Sequence, residues 1–542
     1  MVKDINNYDV QQLSGGDVTA TGFEPSPSSG FWSRLHGRIV IEGGEDRRSN
    51  SDMDPVPPEK RTWSAMDYIT YWISDNFSPS GWRKAASLMQ IGMSWKLALI
   101  NVAVSEVIIA LVVTANGVVG ARYRIPFSVQ SRAAFGYYFS YLMIAMRMIV
   151  GIFWYGTSAY TGAECVRSMI YAIWPSFHDV KNRLPAHANI TTQFMIAYFI
   201  YWVSILPLHY IHISKIRFLF AIKAIILPII GFGMMGWTIK HAGVGNNSLW
   251  TAGNTVHGTA LRWVFMQGVY SNIGGWATLA INSPDFTRYS KRVRNTYTMA
   301  IALPFTATLI AFFGVIGAGG SKFIDNWTSK SGRAAAFFCA FGFYLSQACS
   351  NISANSISAA NDLNCMFPRY INIRRGQFIV SIIGTWALTP WNILTSASSF
   401  LSFMSGYTLW LAPICGILVA DYYFVHNRKY NVWALYDQHG IYRYNKYGIN
   451  WRAAAAFTIG WVPLLPGFLP KVNSSIHVIQ GMTNLYYCGY FYGFGSSMLT
   501  YWIFCKLWPA KETMLDYAVY VDDEVLTAGR DVEEGVESEK EK

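Results

Sequence analysis

The stretch F-W-Y-G-T-S-A-Y-T-G-A-E-C, residues 153–165, sets Trp154, Ser158, Thr161 and Cys165 at intervals of four, three and four. At about 100° per residue, that spacing gathers them on one helical stripe, aromatic at one end and hydroxyl- or thiol-bearing beyond. A ring face that stacks, followed by short hydrogen-bonding groups, is the chemistry of a site for a flat heterocycle. Helix packing explains the same spacing, because small polar residues also hold membrane helices together. A second stretch is denser. S-Q-A-C-S-N-I-S-A-N-S-I-S-A-A-N-D at 346–362 carries three Asn, five Ser and an Asp. Asn offers a donor and an acceptor together, which suits the amide–imide edge of a planar ring.

Both stretches lie in segments long enough for a bilayer. A spanning helix needs about 20 apolar residues, and twelve stretches qualify: 66–92, 96–118, 136–172, 193–213, 216–240, 260–284, 296–319, 333–360, 376–392, 397–424, 452–469 and 485–508. Composition agrees, with 52% hydrophobic residues, 14% charged residues and a mean hydropathy of +0.21. Soluble domains carry about 25% charged residues. The net charge of +12 sits mainly in short loops such as 286–294 and 369–375. That pattern is a membrane topology signal, and it argues against a nucleic-acid partner. It places both termini in the cytoplasm and the sequons at Asn189, Asn246, Asn326 and Asn473 outside. The seven cysteines show no CxxC pair or metal spacing, so no metal or cofactor is expected.

The expected organisation is a disordered cytoplasmic arm over 1–60, a transmembrane domain over 61–510, and a solvated acidic tail over 511–542. Two stretches carry helix breakers in mid-span. The first has Asp75-Asn76-Phe77-Ser78-Pro79-Ser80-Gly81, and the sixth has Ser271-Asn272-Ile273-Gly274-Gly275-Trp276. Irregular backbone at membrane depth is tolerated only beside protein or a watery cavity. Paired interrupted helices in corresponding positions mark the binding site of an inverted-repeat transporter. The expected fold is therefore an all-α polytopic membrane protein of twelve transmembrane helices. Helices 1 and 6 are broken, five plus five form an inverted repeat, and two more helices are peripheral. The charges at membrane depth are Asp75, Arg83, Lys84, Glu106, Arg147, Glu164 and Lys223. Such residues are costly there and mark either ion pathways or structural pairs.

Seven motifs together resemble the first family of nucleobase–cation symporters, in its fungal uracil, uridine and allantoin permease branch. They are P-V-P-P-E-K-R-T-W (55–63), R-I-P-F-S-V-Q-S-R-A-A-F-G (124–136), W-Y-G-T-S-A-Y-T-G-A-E-C-V (154–166), N-S-P-D-F-T-R-Y (282–289), N-I-S-A-N-S-I-S-A-A-N-D-L (351–363), F-P-R-Y-I-N-I-R-R-G (367–376) and N-W-R-A (450–453). The resemblance implies the repeat fold shared with sodium-coupled amino-acid transporters. It implies that Trp154 and Trp276 stack on the substrate's two faces, with Gly275 beside them. It also implies that Asn355 bonds the amide edge and that Leu401 forms an outer gate. By that resemblance Ser158 stands where many members carry a Gln and Ser78 where a bacterial relative carries a second, so two amides are replaced by shorter hydroxyls.

The resemblance further implies a cation site built from the carbonyls of Ser74 and Phe77 with Ser346, Cys349 and Ser350. Sulfur at Cys349 suits sodium poorly, since hard cations prefer oxygen. Fungal members of the family are proton-coupled, and Lys223 is the residue whose ammonium would stand in for sodium; Asp75 is the next candidate. The expected function is proton-coupled uptake of a uracil-, allantoin- or uridine-like heterocycle across the plasma membrane. Thiamine or nicotinamide riboside transport, a non-transporting nutrient sensor and a homodimer stay open. An enzyme is not expected, because no H-E-x-x-H or G-x-S-x-G occurs.

Overall fold

The computed structural model describes residues 40–41, 49–211, 213–242, 253–318, 327, 329–394, 397–473 and 475–520. Among the described residues the chain is helical, with two isolated β-bridges and no strand. The helices that position the site are α1 (Ala65–Asn76), α2 (Pro79–Gln90), α3 (Trp95–Tyr123), α4 (Ser140–Ile173), α5 (Thr192–Ile205), α6 (Ile213–Ala242), α7 (Gly258–Asn282), α8 (Met299–Ala318), α9 (Lys330–Ser350), α10 (Ser358–Met366), α11 (Ile373–Ile382), α12 (Ala397–Ala420), α13 (Trp451–Trp461) and α14 (Gly489–Leu507). All twelve apolar stretches fall on helical segments. Among the described residues, seven helices are long and apolar enough to cross a membrane. The other stretches are interrupted, short or rich in polar residues. Large apolar side chains face outward at Ile100, Val104, Val107 and Leu111 of α3, and at Ile301 and Phe305 of α8. Contiguous apolar surface of this kind requires a nonpolar surrounding, so the chain is a multi-pass membrane protein.

The first break is present. The Phe77 N–H bonds the Ile73 carbonyl at 3.0 Å and closes α1. Ser78 then caps α2, its hydroxyl oxygen accepting from the Gly81 N–H at 3.2 Å, and Pro79 opens the new helix where a missing N–H costs nothing. The freed Phe77 carbonyl accepts from the Ser346 hydroxyl at 2.8 Å. A neighbouring helix thus satisfies the backbone that the break exposes.

The second expected break is corrected. α7 runs unbroken through Ser271–Trp276, so of the two interruptions read from sequence only that of the first stretch exists. Gly274 serves packing instead, since a Cβ there would collide with the Met404 carbonyl oxygen and the Thr408 hydroxyl of α12. An irregularity does occur in the eighth stretch. Between α9 and α10 the helix widens into a π-helical segment, Asn351–Ile357, a local form that clusters at functional sites.

The expectation of a disordered arm is corrected where the chain is described. Residues 49–60 pack onto the helices, with Met53 and Val56 buried. The Asn364 side chain donates to Asn50 Oδ1 at 3.0 Å. Residues 1–39 and 42–48 of that arm, with Asn246 and Asn326, lie outside the described residues. Residues 511–520 also dock: Thr513 is buried and bonds His426 Nε2 at 3.0 Å, and Tyr520 stacks on Tyr123. The acidic remainder, 521–542, lies outside the described residues.

Candidate substrate site

A cavity of about 70 Å³ opens at the α1–α2 break. Asp75, Ser78 and Lys84 line it from the broken helix, and Trp154 and Ser158 from α4. Gly275 and Trp276 of α7, Gln347 and Ser350 of α9, Asn355 of the π segment, and Phe400 and Met404 of α12 complete the wall. All six expected substrate residues therefore meet at one cavity. An engineered cavity of roughly 150 Å³ binds benzene, so this one is tight for a ring.

Trp154 is held from behind. Its indole N–H donates to the Tyr407 hydroxyl at 3.0 Å, and that hydroxyl donates to the Gly274 carbonyl at 2.6 Å. One tyrosine of α12 thereby ties α4 to α7 and fixes the ring's edge. The Asn355 amide nitrogen reaches Ser158 Oγ at 3.1 Å, Asn351 Oδ1 at 3.1 Å and the Trp154 carbonyl at 3.3 Å. Its Oδ1 accepts from no described group, so an acceptor is left for a ligand. Trp276 meets Trp72 edge to face at 5.3 Å and carries the Lys84 ammonium 4.5 Å from its ring centroid.

The charges at membrane depth are mostly paired. Lys84 Nζ bonds Glu106 Oε1 at 2.7 Å. Arg83 pairs with Glu164, and Arg147 pairs with Asp362. Lys223 Nζ donates to the Ser346 carbonyl at 3.0 Å and the Ser350 hydroxyl at 3.2 Å. Asp75 keeps one carboxylate oxygen buried without a partner.

The α4 stripe divides between two spaces. Trp154 and Ser158 face the first cavity, whereas Thr161 and Cys165 line a second one of about 220 Å³ beside Arg83 and Glu164. Ser346 and Lys223 stand behind the first cavity rather than on its wall. Leu401 is buried away from it, its carbonyl accepting from the Ser271 hydroxyl at 3.1 Å, while its neighbours Phe400 and Met404 face inward. Sequence reasoning missed Tyr407, Phe400, Met404 and Gln347. Gln347, Ser350 and Ala354 follow i, i+3, i+7, a signal that was present in the densest polar stretch.

Residues 55–493 match the sequence model of the family described as permease for cytosine/purines, uracil, thiamine, allantoin. The chain belongs to this family of nucleobase–cation symporters. An uncharacterized permease of Schizosaccharomyces pombe is 43% identical to it over 506 residues, spanning 91% of this chain and 90% of that one. The uridine permease of Saccharomyces cerevisiae is 33% identical over 488 residues, spanning 85% of this chain and 75% of its own. Among solved structures, Mhp1, a nucleobase-cation-symport-1 family transporter in a closed conformation with bromovinylhydantoin bound, superposes with a TM-score of 0.67. That match covers 85% of this chain and 97% of Mhp1 at 18% identity, and it shows the shared fold. The permease is thus a membrane transporter and not an enzyme.

Proposed function

We propose that the permease is a proton symporter that takes up a single-ring, nucleobase-type heterocycle by alternating access. One observation carries this reading: two tryptophans and the free acceptor of Asn355 converge on one cavity at a helix break. In this reading Trp154 and Trp276 stack on the ring, and Asn355 bonds its amide edge with Ser158 beside it. Ser78 keeps a hydroxyl proton to donate while its oxygen caps α2. The uridine permease among the relatives and the hydantoin bound to Mhp1 support the substrate class.

The same reading takes all twelve helical stretches as crossings, the first ten as two inverted halves, and the membrane as the plasma membrane with both termini cytoplasmic. It makes the Lys223 ammonium the coupling group, because two oxygens that the family resemblance assigns to a cation already bond it. Leu401 would gate by shifting with its neighbours Phe400 and Met404.

The test is uptake of radiolabelled uracil into cells lacking their own nucleobase permeases, with uridine, allantoin, uric acid, cytosine and thiamine as competitors. Accumulation above the external concentration that collapses with a protonophore is expected. Saturable binding without accumulation would make the chain a sensor, and competition by thiamine alone would assign it to the sister branch's cargo.

A further inference from the structure

The cavity holds an amide that neither the sequence motifs nor the family resemblance assigns. Gln347 is 2% exposed and lines the cavity. Its Oε1 is buried without a partner, and its side chain makes no hydrogen bond among the described residues. A buried amide left unpaired is unfavourable, so such a group in a cavity wall calls for an occupant.

Its position sets what it can hold. Gln347 precedes Asn355 by eight residues on the same continuous helix, a rise of at most about 12 Å. Both side chains line the same cavity, so one ring can meet both. Asn355 offers an acceptor, because its nitrogen is already engaged by Ser158, Asn351 and the Trp154 carbonyl. Gln347 offers an acceptor and donors side by side, and the complement of that pair is an N–H next to a C=O. The ring that satisfies both carries an N–H on each of two edges, with a carbonyl beside at least one.

We propose that Gln347 is a substrate-binding residue that pairs with the second –NH–C(=O)– edge of the ring, so that the site selects free cyclic imides and ureides over N-substituted ones. This rests on the heterocycle reading above and narrows it. A nucleoside, whose sugar blocks one ring nitrogen, is disfavoured.

The experiment measures binding of uracil, 1-methyluracil and 3-methyluracil to the purified permease, alongside uptake. In the unaltered protein, each methyl group is expected to weaken binding about tenfold or more, since each leaves a buried polar partner unpaired. Gln347→Ala is expected to weaken uracil about tenfold and to erase the penalty for one of the two methyl positions while keeping the other. That non-additivity separates direct contact from a structural role. Gln347→Met, close in volume and without the amide, checks that the loss is not a packing effect. Both penalties persisting in Gln347→Ala, or uracil affinity unchanged in it, overturns the inference. Uracil binding without accumulation overturns transport alone, whereas no binding of any of the three rings to the unaltered protein overturns the ligand class.

Discussion

In the proposed reading, Asn355 turns only its side-chain oxygen to the ligand. Its nitrogen is spent on Ser158, Asn351 and the Trp154 carbonyl, and those bonds hold the oxygen toward the cavity and keep α4 against the π segment. Asn355→Ala is expected to raise the uptake KM about tenfold to a hundredfold, because both the ligand bond and its preorganisation go. Surface abundance of a fluorescent fusion, measured in parallel, should stay near that of the unaltered protein. Lys84 and Glu106 behave differently. Both are buried, and one Glu106 oxygen has no partner, so removing the ammonium strands a carboxylate. Lys84→Met is expected to cost about 3–5 kcal/mol and to cut the folded yield sharply. Lys84→Met combined with Glu106→Leu should recover much of that yield, read as monodispersity and melting temperature in detergent. A double variant as unstable as the single one would show that the charge pair itself, rather than its orphaning, matters.

At the scale of elements, the sequence was legible wherever a local rule had a single outcome. Apolar runs became helices, and Ser78-Pro79 made a break because a capping hydroxyl followed by proline starts a new helix. Trp154, Ser158, Trp276 and Asn355 met because their helices converge, as the family motifs implied. Gly274-Gly275 misled because glycine has two uses: it loosens a helix, and it lets two helices touch. Only the partner helix decides between them, and α12 does not show in the sequence of α7. The docking of residues 49–60 was hidden for the same reason, since Met53, Val56 and Asn50 find partners far along the chain. The two glycines give a sharp contrast. Gly274→Leu is expected to abolish folded protein, because its Cβ meets backbone of α12. Gly275→Ala meets nothing nearer than the Met404 sulfur at 3.6 Å, so folding should persist while the added methyl narrows the site and raises KM. Fluorescence size-exclusion profiles read the first effect, and uptake kinetics read the second.

For the whole molecule, the proposed proton coupling requires that a proton on one side chain move helices. Lys223 belongs to α6, and its two bonds go to Ser346 and Ser350 of α9. Ser346 in turn bonds the Phe77 carbonyl at the α1–α2 break. The ammonium therefore clips α6 to the helix that both carries the site and holds the break. A neutral amine keeps fewer donors and loses the attraction of those oxygens for its charge, so protonation favours the arrangement in which α6, α9 and the break are joined. A ligand that prefers the same arrangement is then coupled to the proton by linkage, each raising the other's affinity. Coupling needs differential affinity and not merely a nearby charge. Lys223→Ala is accordingly expected to bind uracil with less than about a tenfold loss, yet to fail at accumulating it against a gradient when the outside is acidified. Exchange of internal for external label should continue in that variant, since alternating access without a coupled ion still equilibrates the ligand. Pump-like accumulation that survives Lys223→Ala would remove lysine from the coupling step. It would direct attention to Asp75, whose unpartnered carboxylate oxygen lies at the same break.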